Sequence, residues 1–154
     1  MNSKNKLEFK QKLLQKVKQT VQDQIAAAQE MVKEAFEAVA DDTKSTAGDK
    51  HETARAMAQI EQEKAGKQLM KIQTIQNLVQ SISSDEVDKV SLGAVVYTVD
   101  NCYFVSQALG KISISGETIY CVSPTAPIVQ AMLGLKKEES FTFNGRAHTL
   151  INIF

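Results

Sequence analysis

Ala40 to Arg55 reads ADDTKSTAGDKHETAR. The stretch holds four carboxylates, Asp41, Asp42, Asp49 and Glu52, and no apolar residue larger than alanine. It interrupts two long helical patterns. A short polar break between two such patterns predicts the tip of an antiparallel helical hairpin whose seams bury each other.

N-terminal to the tip, apolar and small residues step by three and four through Leu14, Val17, Val21, Gln24, Ala28, Met31, Ala35 and Ala38. Leu13, Ile25, Val32, Phe36 and Val39 widen this coiled-coil seam. No proline or glycine interrupts Leu7 to Ala40, so a rod of about 50 Å is expected at ~1.5 Å per residue. The return seam is Ala54, Met57, Glu61, Ala65, Leu69, Ile72, Gln76 and Val79. Alanine methyls near the tip bury far less area than the leucines and isoleucines at the base. A slender, weakly held tip follows.

Charge is uneven along this rod. Six lysines (Lys4, Lys6, Lys10, Lys12, Lys16, Lys18) face only Glu8 between Asn2 and Lys18, while seven acids crowd Glu30 to Glu52. Lysines at a helix start and acids at its end both oppose the macrodipole, whereas Asp49 and Glu52 open the second helix where the dipole favours them. The tip acids therefore have two readings. They are solvated turn and dipole residues, or they are a carboxylate cluster for a hard cation or a basic protein. The lysine-rich base is likewise either a solvated face or a contact for nucleic acid or an acidic surface.

Across all 154 residues the formal net charge is zero, which argues against a general nucleic-acid binder. The polar N-terminus lacks the apolar core of a secretory signal. No apolar run approaches the ~20 residues of a membrane helix, and a cytoplasmic chain is expected. The two cysteines, Cys102 and Cys121, sit in strand-like apolar runs without metal-site spacing. Buried thiols are favoured over a disulfide.

Beyond the linker-like Ser81 to Asp88 the period changes to that of strands: Val90–Val99, Cys102–Gln107, Lys111–Ser115, Thr118–Val122, Ser140–Asn144 and Ala147–Phe154. Asn144-Gly145 signals a two-residue hairpin. Ala126 to Leu133 is the one short helical run, entered through Pro124 and Pro127 and stopped by Gly134. The fold class is therefore α+β. The expected domains are a hairpin over 1–82 with its tip at 40–55, a linker over 83–88, and an antiparallel-sheet domain with one short helix over 89–154. No site chemistry of its own is visible. His51-Glu52 lacks a second histidine four residues on, and His148 alternates onto the expected solvent face. No serine or glycine cluster suits a nucleophile elbow or a phosphate loop. An enzyme is not expected.

These parts in this order resemble the Gre transcript-cleavage factor family of bacteria, over nearly the whole chain. Val90-Ser91-Leu92-Gly93-Ala94-Val95-Val96 stands where the family opens its second domain with a Val-x-Leu/Phe-Gly-Ser-x-Val-like strand. Ser123-Pro124, Ala131-Met132-Leu133-Gly134-Leu135 and Glu138-Glu139 follow the family's Ser-Pro, short helix ending Leu-Gly-Lys, and Gly-Asp. Leu135 replaces the lysine, and the two glutamates replace Gly-Asp. Asp49-Lys50-His51-Glu52 matches the Glu-Asn-Ala-Glu part of the family's tip.

The resemblance implies an FKBP-like C-terminal domain that docks on RNA polymerase, with Ser123, Pro124, Leu135, Glu138 and Glu139 at the contact. It implies that the hairpin enters the polymerase secondary channel. There the tip acids, Asp49 and Glu52 together with Asp41 and Asp42, would help hold magnesium at the polymerase's own active centre, where backtracked RNA is cut. No cofactor would be tightly bound, nucleic acid would be met only through the polymerase, and no membrane is involved. Thr46 stands where the family carries its first tip aspartate. A hydroxyl does not replace a charged ligand, so either Asp41 or Asp42 completes the set or the chain modulates polymerase without cleavage. Two other readings fit the same residues. One is a coiled-coil adaptor for another partner. The other, resting on the FKBP-like fold alone, is a prolyl isomerase.

Overall fold

The computed structural model describes residues 1–44 and 48–154, and the side chains at 42–51 lie outside that description. Helix α1 spans Ser3–Lys44 and α2 spans Gly48–Gln80. At 42 and 33 residues they run about 63 and 50 Å. The chain divides into two compact units, Val21–Asn77 on the one hand and Met1–Thr20 with Leu78–Phe154 on the other.

The Val21–Asn77 unit is an antiparallel helix pair. Gln76 Nε2 donates to Gln22 Oε1 at 3.0 Å across the seam, which sets the register. Val21, Ile25 and Ala28 are buried from α1, and Ala65 and Ile72 from α2. Toward the tip, α1 offers half-buried Val32, Ala35 and Val39, and α2 offers Ala58 and Gln62. This corrects the expected seam. Gln24, Met31 and Ala38 are exposed, as are Ala54, Met57 and Glu61. The expected lines repeat every seven residues, whereas a straight helix with 3.6 residues per turn drifts about 20° per heptad. Ile25 and Val32 therefore rotate onto the contact line as Gln24 and Met31 rotate off it. Among the described residues of 29–41 and 52–64, none is fully buried. The weakly packed upper hairpin expected from the alanines is present.

The other unit is a sheet with helical cover. Its strands are β1 Val95–Thr98, β2 Cys102–Val105, β3 Gly110–Ile114, β4 Glu117–Val122, β5 Ser140–Phe143 and β6 Arg146–Ile153. They lie in the order β3-β4-β2-β1-β6-β5. Helix α3, Pro127–Met132, begins with proline in its first turn, as its sequence predicts. Asn144 and Gly145 take φ of 50° and 73° between β5 and β6, the left-handed pair of a type I′ turn. Ser115-Gly116 does the same between β3 and β4, with φ of 52° and 82°.

The expected antiparallel sheet is instead mixed. β2 and β4 run parallel, Phe104 opposite Cys121, because the β3–β4 hairpin folds with β3 on the outer edge and β4 inside. Strand periodicity says which face a residue takes but not which neighbour the strand pairs with.

Both faces of the sheet are covered. On one, α3 contributes Val129 and Met132 to a core with Ala94, Val96, Tyr103, Val105, Phe141 and Leu150. On the other lie buried Val95, Phe104, Ile119 and Cys121. The first turns of α1 join this unit through buried Phe9, Leu13, Leu14 and Val17. Phe9 meets Phe154 edge to face at a centroid distance of 6.1 Å, and Phe154 stacks on Tyr97 at 6.0 Å.

The linker-like segment is tied down. Lys10 is buried to 1% exposure, and its Nζ donates to the Asp85 carbonyl oxygen at 2.5 Å. Lys6 pairs with Glu86 at 3.6 Å and lies 5.5 Å from the Phe154 ring centroid. Two of the basal lysines are thus structural anchors, while Lys4, Lys12, Lys16 and Lys18 stay exposed. Gly93 completes the junction. Its φ is +85°, and a Cβ there would stand 2.9 Å from Ile82 Cγ2, so only glycine fits.

Candidate functional site

The expected site residues fall into two groups. In the hairpin, Asp41 lies exposed near the end of α1 and Glu52 lies exposed near the start of α2. Position 49 falls in the first turn of α2 and position 42 in the last turn of α1. The side chains of Asp42 and Asp49, and the whole of Thr46, lie outside the described residues. Positions 49 and 52, three apart on one helix, share a side of it. Among the described residues no three ligand-type side chains form a metal cluster. Asp41 and Glu52 therefore make no cage by themselves, and a cation held there would need further ligands.

The second group surrounds α3. Ser123 and Pro124 enter the helix, and Leu135, Glu138 and Glu139 follow its exit. The Ser123 hydroxyl lies 2.9 Å from that of Thr125 and accepts the Thr125 N–H at 3.2 Å. The Pro124 carbonyl accepts from Gln130 Nε2 at 2.7 Å. Beyond the helix, Leu135 O accepts from Val90 N at 2.8 Å while Gly134 N donates to Val90 O at 2.9 Å. These two bonds tie the exit of α3 to the start of the Val90–Val96 motif. Glu139 Oε2 accepts from Lys136 N at 2.7 Å, and Glu138 holds a left-handed φ of 72°. Glu138 N donates to Leu150 O at 2.8 Å. The backbone of this loop is fixed while the side chains of Glu138 and Glu139 remain exposed, beside Leu133 at 49% exposure. The structure thus gives the α3 exit a partly apolar surface of mixed charge, with Lys136 and Lys137 exposed beside Glu138 and Glu139.

The groups with perturbed titration lie away from both places. Burial lowers the Lys10 ammonium pKa from its usual value, against the attraction of Asp85 and Glu86. Both thiols are free and buried. Burial pushes Cys102 up to about 12 and Cys121 up to about 11, so neither is a thiolate nucleophile near neutral pH. Tyr97 is raised by burial and by neighbouring Cys102 and Glu117, and its hydroxyl donates to Glu117 Oε2 at 3.1 Å. His148 is half-buried and stacks on Phe141 at 5.2 Å rather than standing free on the solvent face.

Lys10 anchors the linker-like segment, a role that the sequence alone does not announce. It stands four residues before Leu14, at a seam position, where a charged side chain needs a partner on burial.

No family model matches the sequence, and no curated protein does. The solved structures with partial likeness include three described as follows. One is described as the transcription factor Gfh1, 16% identical, with 88% of this chain and 92% of that chain covered and a TM-score of 0.38. GreA factor homolog 1 (Gfh1) of Thermus thermophilus is 15% identical over 89% and 94% of the chains, with a TM-score of 0.35. Gfh1 of Thermus aquaticus is 16% identical over 86% and 90%, with a TM-score of 0.33. At such identities and scores these likenesses identify neither the fold nor the activity of this chain.

Proposed function

We propose that this chain is a Gre-like factor that binds RNA polymerase and acts through its hairpin in the polymerase secondary channel. One juxtaposition carries the reading. A long antiparallel hairpin with exposed acids at the tip-side ends of its helices is joined in one chain to a sheet unit bearing the Gre-like motifs at connected places. Val90, itself buried, is bonded to the α3 exit at Gly134 and Leu135, so the opening motif and the Leu133-Gly134-Leu135 motif lie side by side, with Leu92 and Leu133 at the surface. We read that surface, with Ser123, Pro124, Glu138 and Glu139, as the FKBP-like unit's contact with polymerase.

In this reading the protein has no active site of its own. Asp49 and Glu52 would supply carboxylates, with Asp41 or Asp42 taking the place that Thr46 leaves without charge. A magnesium ion shared with the polymerase would activate water and stabilise the leaving oxygen. The contribution of this chain is to carry negative charge to the place where that ion is held. Slender alanine packing near the tip suits passage through a narrow channel.

The test is RNA cleavage in a backtracked elongation complex from the same organism, with wild type, Asp49→Ala and Glu52→Ala. Magnesium-dependent shortening that both variants lose by tenfold or more is the expected result for a cleavage factor. Altered elongation without shortening makes it a non-cleaving regulator and assigns the difference to Thr46. Failure of the wild-type protein to bind or affect polymerase refutes the proposal and leaves a coiled-coil adaptor for another partner.

A further inference from the structure

At the end of the sheet where β2 and β4 begin, a cleft of about 510 Å³ opens between the β1–β2 turn and the start of β4. Hydrogen bonds hold both sides of it. Thr98 N and Thr98 Oγ1 donate to the Asn101 carbonyl at 2.9 and 3.1 Å, and Asn101 N donates back to Thr98 Oγ1 at 3.1 Å. These bonds close the turn and set Asp100 exposed at its tip. On the β4 side, the Tyr97 hydroxyl donates to Glu117 Oε2 at 3.1 Å. That bond orients a half-buried carboxylate and leaves its Oε1 outside the contact.

The third charge on the cleft is Lys111. It stands opposite Tyr120 in the β3–β4 pair, and its ammonium lies 5.4 Å from the Tyr120 ring centroid. Glu117 is three positions back along β4, about 10 Å at ~3.4 Å per residue, and on the other face of the sheet because side chains alternate. With Lys111 drawn over Tyr120 and Glu117 drawn to Tyr97, the cleft has a basic end and an acidic end, each beside a tyrosine ring.

We propose that this cleft binds a small zwitterion with a guanidinium and a carboxylate at the two ends of an extended chain, as in arginine or a peptide ending in it. The guanidinium donates to Glu117 Oε1 and meets the charge of Asp100, and the carboxylate accepts from Lys111. A planar fork of donors suits two acids and a neighbouring ring better than a compact ammonium does. A ligand with a cation alone leaves Lys111 unanswered, and one with an anion alone meets repulsion from Glu117 and Asp100. The inference does not depend on the polymerase reading and uses none of the residues assigned to that contact.

The test is a titration of the isotope-labelled full chain with N-acetyl-L-arginine, followed by amide chemical shifts with no polymerase present. Shifts confined to 98–102, 111 and 117–120, with a dissociation constant on the order of 1 mM, are expected. N-acetyl-L-arginine amide lacks the carboxylate and N-acetyl-L-citrulline lacks the cation, and each should bind about fivefold more weakly. Glu117→Gln should weaken N-acetyl-L-arginine about fivefold and leave N-acetyl-L-citrulline unchanged. Lys111→Gln should weaken it equally and leave the amide unchanged. Kept dispersion of the amide spectrum shows that a variant is folded, and Asp100→Asn at the exposed turn repeats the first comparison if Glu117→Gln is not. L-arginine run beside N-acetyl-L-arginine tells a free amino acid from a chain-terminal one. Absence of shifts in the cleft up to about 20 mM overturns the proposal. So do equal affinities for the three acetylated compounds, or folded variants that bind as wild type does.

Discussion

Truncating Phe154 to alanine tests the central packing claim of the sheet unit. The side chain is fully buried at 0% exposure, edge-on to Phe9 at 6.1 Å, stacked on Tyr97 at 6.0 Å, and under the Lys6 ammonium at 5.5 Å. Removing a buried phenylalanine costs about 3–5 kcal/mol through lost transfer energy and the cavity left behind. The low ends of the parts together fall within that range. Burial of the ring contributes ~2–3 kcal/mol, each aromatic pair adds ~0.5–1.5, and the cation adds ~0.5–1. Against a typical total of about 5–15 kcal/mol, this is a large fraction.

Urea unfolding is the assay. At a slope of ~2 kcal/mol per molar, a loss of ~3 kcal/mol lowers the midpoint by roughly 1.5 M. A double-mutant cycle with Phe9→Ala separates the contact of α1 from the rest, with an expected coupling of about 0.5–1.5 kcal/mol. A loss below about 1 kcal/mol refutes the burial of this ring. A coupling of zero together with a large single loss refutes the seating of α1 on Phe154 while keeping the core.

Gly93→Ala should destabilise the same unit by about 2 kcal/mol or more, since alanine is strained at a left-handed φ; its Cβ would also meet Ile82 at 2.9 Å. Thermal unfolding checks this, and an unchanged midpoint contradicts the close approach. Amide hydrogen exchange should be fastest in the described parts of 29–41 and 52–64, where no residue is fully buried, and slower around Leu13 to Ile25. Equal protection along α1 would refute weak upper packing.

The thiols give a pH prediction. Their folded values of about 12 and 11 lie above the ordinary 9.0. Above pH ~9 the unfolded chain gives up protons that the folded chain keeps, so stability is full below that pH and falls as it rises toward 11, by up to about 1.4 kcal/mol per pH unit per thiol. Lys10 acts in the opposite sense, because its lowered folded value makes stability rise toward pH 10.5. Replacing both cysteines with alanine should therefore flatten the decline above pH 9, and an unchanged slope sinks the assignment.

Local chemistry along the chain determined much of this protein. Three-and-four spacing gave α1 and α2, because side-chain periodicity and the absence of proline act within a few residues; α1 lacks glycine as well, while α2 carries Gly66 within it. Asn144-Gly145 turned a hairpin and Pro127 opened α3 for the same reason: φ preferences are local. The alanines near the tip foretold weak packing, since residue size alone limits the area they can bury. The candidate acids were legible as types at a spacing, and the motifs of the sheet unit as short strings.

What required the tertiary structure was every choice set by a partner distant in sequence. Seven-residue spacing placed Gln24 and Met31 on the seam beside Ile25 and Val32, but helical drift and the opposing helix kept only Ile25 and Val32 there. Period-two alternation could not say that β4 would slip between β2 and β3 and run parallel to β2. Nor could a row of basal lysines reveal which would be buried. Lys10 is, because a carbonyl 75 residues away lands within reach of its ammonium, and Lys4 is not, because nothing does. Desolvation and pairing are properties of what folding brings together, and no window along the chain contains both halves of the pair.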